Sequence, residues 1–196
     1  MDLVSLLHSI GYLGIWAIIF TETGILFGML LPGDTLLFAA GVLAGQGHFN
    51  IWIMVTGCFA AALTGNLVGY WLGETLGLPF IRKYCKKFIT DAHLEKTHDL
   101  FDKHGNTGII IARFLPVART LAPFLAGVIQ MDYKDFVKYS ILGAFVWAVG
   151  LPLLGYYIGH LLPDGAIDML LIPILLFIIA IIAFPYIRAR FKINKK

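Results

Sequence analysis

Four stretches of this chain, residues 11–31, 51–73, 136–159 and 166–187, are each apolar and long enough to cross a bilayer core, which takes about 20 residues. A soluble fold of 196 residues could not hide that much apolar surface. Composition agrees: 59% of residues are apolar and 14% charged, where soluble domains carry about a quarter charged. A disordered regulator, a DNA-binding domain and a secreted disulfide scaffold are excluded. The formal net charge of +3 is too small to suggest a nucleic-acid partner. Cys58 and Cys85 match no metal or redox spacing and read as packing residues. His93, His98 and His104 are spaced by five and six residues, poor for one helical face, so no metal site is expected. The fold class is an all-α integral membrane protein.

Charge placement sets the expected topology. The first of the 15 lysines and arginines is Arg82. Basic residues then cluster at 82–103, at Lys134 and Lys138, and in the tail 188–196. Basic loops stay on the cytoplasmic side, so the amphipathic connector 79–105 and the C-terminal tail are expected inside. The loop 161–168 has no lysine or arginine and is expected outside, which makes 136–159 and 166–187 full spans. Span 51–73 then begins outside. No basic n-region precedes an apolar run, so no cleaved signal peptide is expected.

Two apolar segments do not fit as simple spans. Residues 35–45 are too short, and residues 107–129 carry two arginines and two prolines. Such segments read as re-entrant. The second must enter and leave from inside, as a hairpin over about 107–129. The basic-free N-terminal region then forms a first hairpin, over about 11–46, that enters from outside and turns at Leu31-Pro32-Gly33-Asp34. Two complete spans at 11–31 and 35–46 are the alternative.

An internal repeat links the two. LLPGDTLLFAAGVLAG resembles FLPVARTLAPFLAGVIQ, with offsets of 84 at Pro32 and Pro116, 85 at Asp34 and Arg119, and 86 at Phe38 and Phe124. Copies running in opposite membrane senses are the inverted-repeat plan of secondary transporters, with a site near the midplane. The matched position holds an acid in one copy and a base in the other.

Glu22, Asp34, Arg113 and Arg119 all lie within apolar sequence. Each costs about 2.5–3.5 kcal/mol at a helix centre. They are expected to face one another or a wet cavity. Two buried salt bridges that only pin the hairpins are the plainer reading, but such pairs rarely stabilise more than apolar residues would. Pro116 and Pro123 are expected to break the second hairpin's hydrogen-bond ladder, as Pro32 and Gly33 break the first. Half-helix ends at membrane depth, beside two guanidinium forks, suit a phosphate. Glu22 and Asp34 are expected to exchange protons near neutrality. Glycines 65, 69 and 73, and again 155 and 159, read as close helix packing. Trp16, Trp52, Trp71 and Trp147 read as belt or packing aromatics.

Glu22, Leu31-Pro32-Gly33-Asp34, Phe101-Asp102-Lys103-His104-Gly105, Arg113-Phe114-Leu115-Pro116, Arg119, Pro123, Ala126-Gly127, Met131, Phe136 and Trp147 form an ordered set. Over roughly residues 11–159 it resembles the DedA family of small bacterial membrane proteins, the bacterial arm of the VTT or SNARE-associated group. Glu74 departs from the basic residue that relatives often place there. The resemblance places the family's essential acids on Glu22 and Asp34 and its arginines on Arg113 and Arg119. It implies recycling of undecaprenyl phosphate across the bacterial plasma membrane for cell-envelope synthesis, dependent on the proton motive force. Other members are tied to other lipids, and eukaryotic relatives resemble phospholipid scramblases.

The residues suit that role. A polyprenyl tail stays in the bilayer while its phosphate, with about −1.5 to −2 charges, needs a polar path. No nucleophile array is present, so no enzyme is expected. Lipid and protons are the expected partners, with no cofactor or metal; a monomer and a homodimer both stay open. A proton-coupled small-cation exporter using Glu22 and Asp34, and a phospholipid scramblase, remain the alternatives.

Overall fold

The computed structural model describes residues 3–25, 33–80, 91–162, and every regular element among them is helical. Pro32, Cys85, the expected span 166–187 and the tail 188–196 lie outside these residues. In order the helices are α1 (Leu3–Gly24), α2 (Gly33–Gly45), α3 (Ile51–Phe80), α4 (Asp91–His104), α5 (Gly108–Ala112), α6 (Pro116–Val128) and α7 (Tyr133–Leu161), with a 3₁₀ turn Gly105–Thr107 before α5.

Local chemistry explains the boundaries. Asn50 starts α3 by accepting from the backbone N–H groups of Trp52 (2.9 Å) and Ile53 (3.3 Å). Asp132 does the same for α7, accepting from Lys134 (2.9 Å) and Asp135 (3.2 Å). Pro116 occupies the first turn of α6, where its missing N–H costs nothing, and Leu115 before it is extended at φ −112°, ψ 113°. Gly11 and Gly77 have φ of 59° and 64°, and each kinks the helix that contains it. Between these devices, Ile51–Gly77 and Tyr133–Leu161 are long and apolar enough to cross a membrane.

These two long helices run antiparallel and form the centre. Phe59 meets Phe145 at 6.5 Å between ring centroids, and Tyr70 meets Phe136 at 4.6 Å. The shorter helices pack parallel to them. Along α1 and α3, the Asn50 N–H donates to the Tyr12 hydroxyl (2.7 Å), Trp16 covers Gly57, and Thr23 and Gly24 lie against Gly65. Along α5 and α7, Asn106 donates to Asp135 (2.8 Å) and the Arg113 stem lies on Gly143. The returning arms cross over. α2 packs on the second half of α7, with Gly41 at Pro152 and Val42 at Gly159. α6 packs on the second half of α3, with Gly69 at Pro123 and Gly73 at Phe124.

Exchanging α1–α2–α3 for α5–α6–α7 therefore reproduces the contacts, and each pair α1–α2 and α5–α6 begins and ends at one end of the α3–α7 pair. Two apolar clusters follow from it: one holds Ile15, Ile19, Leu37, Met54 and Trp147, the other Ile109, Leu121, Phe124 and Phe136.

The expected break at Pro123 does not occur. α6 runs unbroken from Pro116 to Val128 with Pro123 inside it. A proline ring fits helical φ and forfeits one hydrogen bond, leaving the Arg119 carbonyl without its usual donor. On the neighbouring helix the Pro123 ring packs against Gly69, where a Cβ would sit 3.2 Å from its ring carbon. The break falls earlier, at 113–115, before Pro116.

Close approach is a property of the backbone at these interfaces. A Cβ on Gly41 would lie 2.1 Å from the Pro152 carbonyl oxygen, whereas one on Gly150 of the same α7 would meet nothing within 4 Å. Gly41→Val is expected to lose on the order of 1–3 kcal/mol or more through overpacking. Gly150→Ala is expected to be neutral or stabilising by about 1 kcal/mol. Thermal unfolding in detergent checks both; equal melting temperatures would contradict this account.

Candidate functional site

The charged residues gather where α1 and α2 meet α5, α6 and α7. Glu22 lies in the last turn of α1, Asp34 opens α2, Arg119 lies in the first turn of α6, and Arg113 caps α5. Positions that the repeat places 85 residues apart, Asp34 and Arg119, are in direct contact.

Arg119 holds both acids. Its Nη1 donates to Asp34 Oδ1 and its Nη2 to Glu22 Oε1. This fork joins α6 to α1 and α2 with one side chain. Arg119 is 7% exposed and Glu22 0%, while the Asp34 side chain is 54% exposed. The site is thus sealed at Glu22 and open beside Asp34. Gly33 is needed for that seal: a Cβ there would fall 1.6 Å from Glu22 Oε2.

Arg113 is arranged differently. It is 4% exposed, and among the described residues its Nε, Nη1 and Nη2 have no hydrogen-bond partner. The stem crosses Gly143, where a Cβ would come within 2.9 Å of its Cδ and Nε. Its guanidinium lies over the Trp147 ring, 5.8 Å from the centroid. Two symmetrical salt bridges are therefore not formed: Arg119 takes both carboxylates and Arg113 takes neither. The cause is position. Arg119 is beyond the chain break and faces α1 and α2, whereas Arg113 precedes it and lies along α7.

Two acids and two arginines leave the site formally neutral, yet its hydrogen bonding is uneven. An unpaired buried donor on a charged group is expensive, and native proteins keep few of them. Such a group is suited to binding an anion whose oxygens satisfy the fork.

Trp147 belongs to the site although the sequence pattern reads it as a packing aromatic. It is 3% exposed, its Nε1 donates to Asp34 Oδ1 at 2.6 Å, and its ring carries Arg119 at 4.8 Å as well as Arg113. The available signal is its place in the motif set; hydropathy gives none. Trp52 and Trp71 are exposed, and Trp16 packs on Gly57. Among the described residues no group of three His, Cys, Asp or Glu could hold a metal ion. His98 pairs with Asp102 on the exposed face of α4 at 3.1 Å.

Residues 31–162 match the VTT domain family. Protein DedA of Escherichia coli K12 is 37% identical over 164 residues, covering 80% of this chain and 75% of that protein. Inner membrane protein YqjA of the same organism is 31% identical over 148 residues, covering 76% and 67%. An uncharacterised membrane protein of Mycobacterium leprae is 38% identical over 143 residues, covering 73% and 64%. No solved structure matches this chain.

Proposed function

From its place among the DedA-type VTT-domain membrane proteins, the family to which this chain belongs, we propose that it is a lipid transporter for a phosphate-headed polyprenyl lipid. Undecaprenyl phosphate is the first candidate, carried from the outer to the inner face of the bacterial plasma membrane for envelope synthesis. The observation that carries this reading is Arg113, a buried guanidinium beside Arg119 whose three nitrogens have no hydrogen-bond partner among the described residues. A phosphomonoester supplies enough charge and acceptors for both forks. Its tail never leaves the bilayer, so only the headgroup needs the polar path. No covalent chemistry is required, and the chain acts as a carrier rather than an enzyme.

In this reading α1–α2 and α5–α6 re-enter the membrane from opposite faces, and the phosphate passes between them. Support comes from the contact register, in which each pair begins and ends at one end of α3 and α7. The C-terminal tail is cytoplasmic. Single cysteines at Gln46 and Pro163 are then expected to label from outside, and ones at Lys96 and Lys195 from inside. Labelling at Lys96 from outside would remove the re-entrant assignment of α5–α6.

The transport reading itself is tested in liposomes. Purified protein is expected to move labelled polyprenyl phosphate between leaflets without an added cation gradient. Cation-stimulated proton flux with no lipid movement would show an exporter instead. The exporter is disfavoured because Glu22 and Asp34 are both bound to Arg119 and not left for a cation.

A further inference from the structure

Trp147 touches three of the four charged groups from α7, an element that contributes no charge of its own to the site. Its indole Nε1 is a donor only, so its bond to Asp34 survives whether that carboxyl is ionised or protonated. Arg119, by contrast, holds Asp34 strongly only while the acid is charged. The indole face also lies within the roughly 6 Å reach of cation–π attraction for both arginines, at 4.8 Å and 5.8 Å. Two guanidinium groups against one ring repel each other, and the ring's negative face offsets part of that repulsion.

We propose that Trp147 is a positioning residue with two separable tasks: its N–H anchors Asp34 while a phosphate displaces that acid from Arg119, and its ring holds both guanidinium planes ready for the phosphate. The inference rests on the phosphate-binding reading above and adds to it the element that keeps the acid in place through the exchange. The charged groups around Asp34 are Glu22 from α1, Arg119 from α6 and, against the same indole, Arg113. Trp147 lies on a long helix packed against α2, so the anchored acid stays in register with α7.

The test uses the full chain in detergent with farnesyl phosphate as probe, its affinity measured across pH. Removing a hydrogen bond to an ionised acid makes that acid easier to protonate. Trp147→Phe and Trp147→Leu both lack the N–H, so both are expected to move the pH midpoint of binding upward by about one unit. Only Trp147→Leu also lacks the ring, and its best affinity is expected to fall about tenfold below that of Trp147→Phe. A tryptophan that only filled space would lower the melting temperature with volume lost and leave the midpoint where it was.

An unmoved midpoint in both variants overturns the anchoring task, and equal best affinities overturn the ring's. If the leucine variant does not fold, a tryptophan emission change on probe binding to the parent that persists in Trp147→Phe also overturns the proposal. A parent that binds no farnesyl phosphate rejects the phosphate reading, and this inference with it. A parent whose binding is lost in Arg113→Gln but indifferent at Trp147 rejects this inference alone.

Discussion

Arg113→Lys is expected to lose at least nine-tenths of phosphate-lipid transport, and Arg113→Met all of it, without loss of stability. The guanidinium is buried and makes no hydrogen bond within the described residues. Removing it therefore breaks no hydrogen bond or ion pair, gives up only a cation–π contact at 5.8 Å, and relieves an unpaired buried charge, so the melting temperature of Arg113→Met is expected to hold or rise. Lysine keeps the charge but loses the planar fork that takes two phosphate oxygens at once, and it hydrates more strongly. Arg119→Met is expected to behave in the opposite way. It strands Glu22 and Asp34 without their cation, which costs about 3–5 kcal/mol for a broken buried pair. Transport in liposomes and melting in detergent, measured on the same preparations, separate the two roles. If Arg113→Met melts far below the parent, or Arg113→Lys transports like it, the assignment of Arg113 as the phosphate fork is wrong.

The second large effect concerns the acids. Glu22→Gln and Asp34→Asn are each expected to keep or strengthen phosphate-lipid binding and to lose uphill, gradient-driven turnover. The four-residue site is neutral with both acids ionised, so a phosphate near −2 leaves about two uncompensated negative charges at membrane depth. Protonating the two acids removes that excess and releases Arg119 to the phosphate. Binding is therefore expected to take up protons, with affinity falling as pH rises. The amides imitate the protonated acids, and each removes part of the pH dependence. In the structure Asp34 is half exposed, while Glu22 is sealed behind Arg119 and Gly33. Binding measured against pH for parent and amides decides it. A parent that binds lipid without proton uptake, with amides that still transport uphill, would end the coupling scheme.

Much of this site was readable beforehand because charge in apolar sequence is conspicuous. Glu22, Asp34, Arg113 and Arg119 stand out by cost alone, and the offset of 85 residues links Asp34 to Arg119. The glycines at 65, 69 and 73 signal close helix contact by spacing, and each meets a neighbouring helix. Pro123 shows the limit. Its ring is a strong local signal against helix, yet α6 continues through it and packs it on Gly69. The helix interior there forfeits one hydrogen bond and keeps its tertiary packing instead.

By itself the sequence determined the solvent of this protein and the identity of its costly groups. Both follow from composition along the chain: apolar runs too long for a soluble core, and ions too few and too deep to be incidental. Pairing was decided only by the tertiary structure. One arginine takes both acids, the other takes neither, and a tryptophan that reads as packing donates to Asp34. Those outcomes depend on which helix faces meet, set by crossed packing of α2 on α7 and α6 on α3. Spacing along a chain does not fix which side of a break a side chain ends up facing.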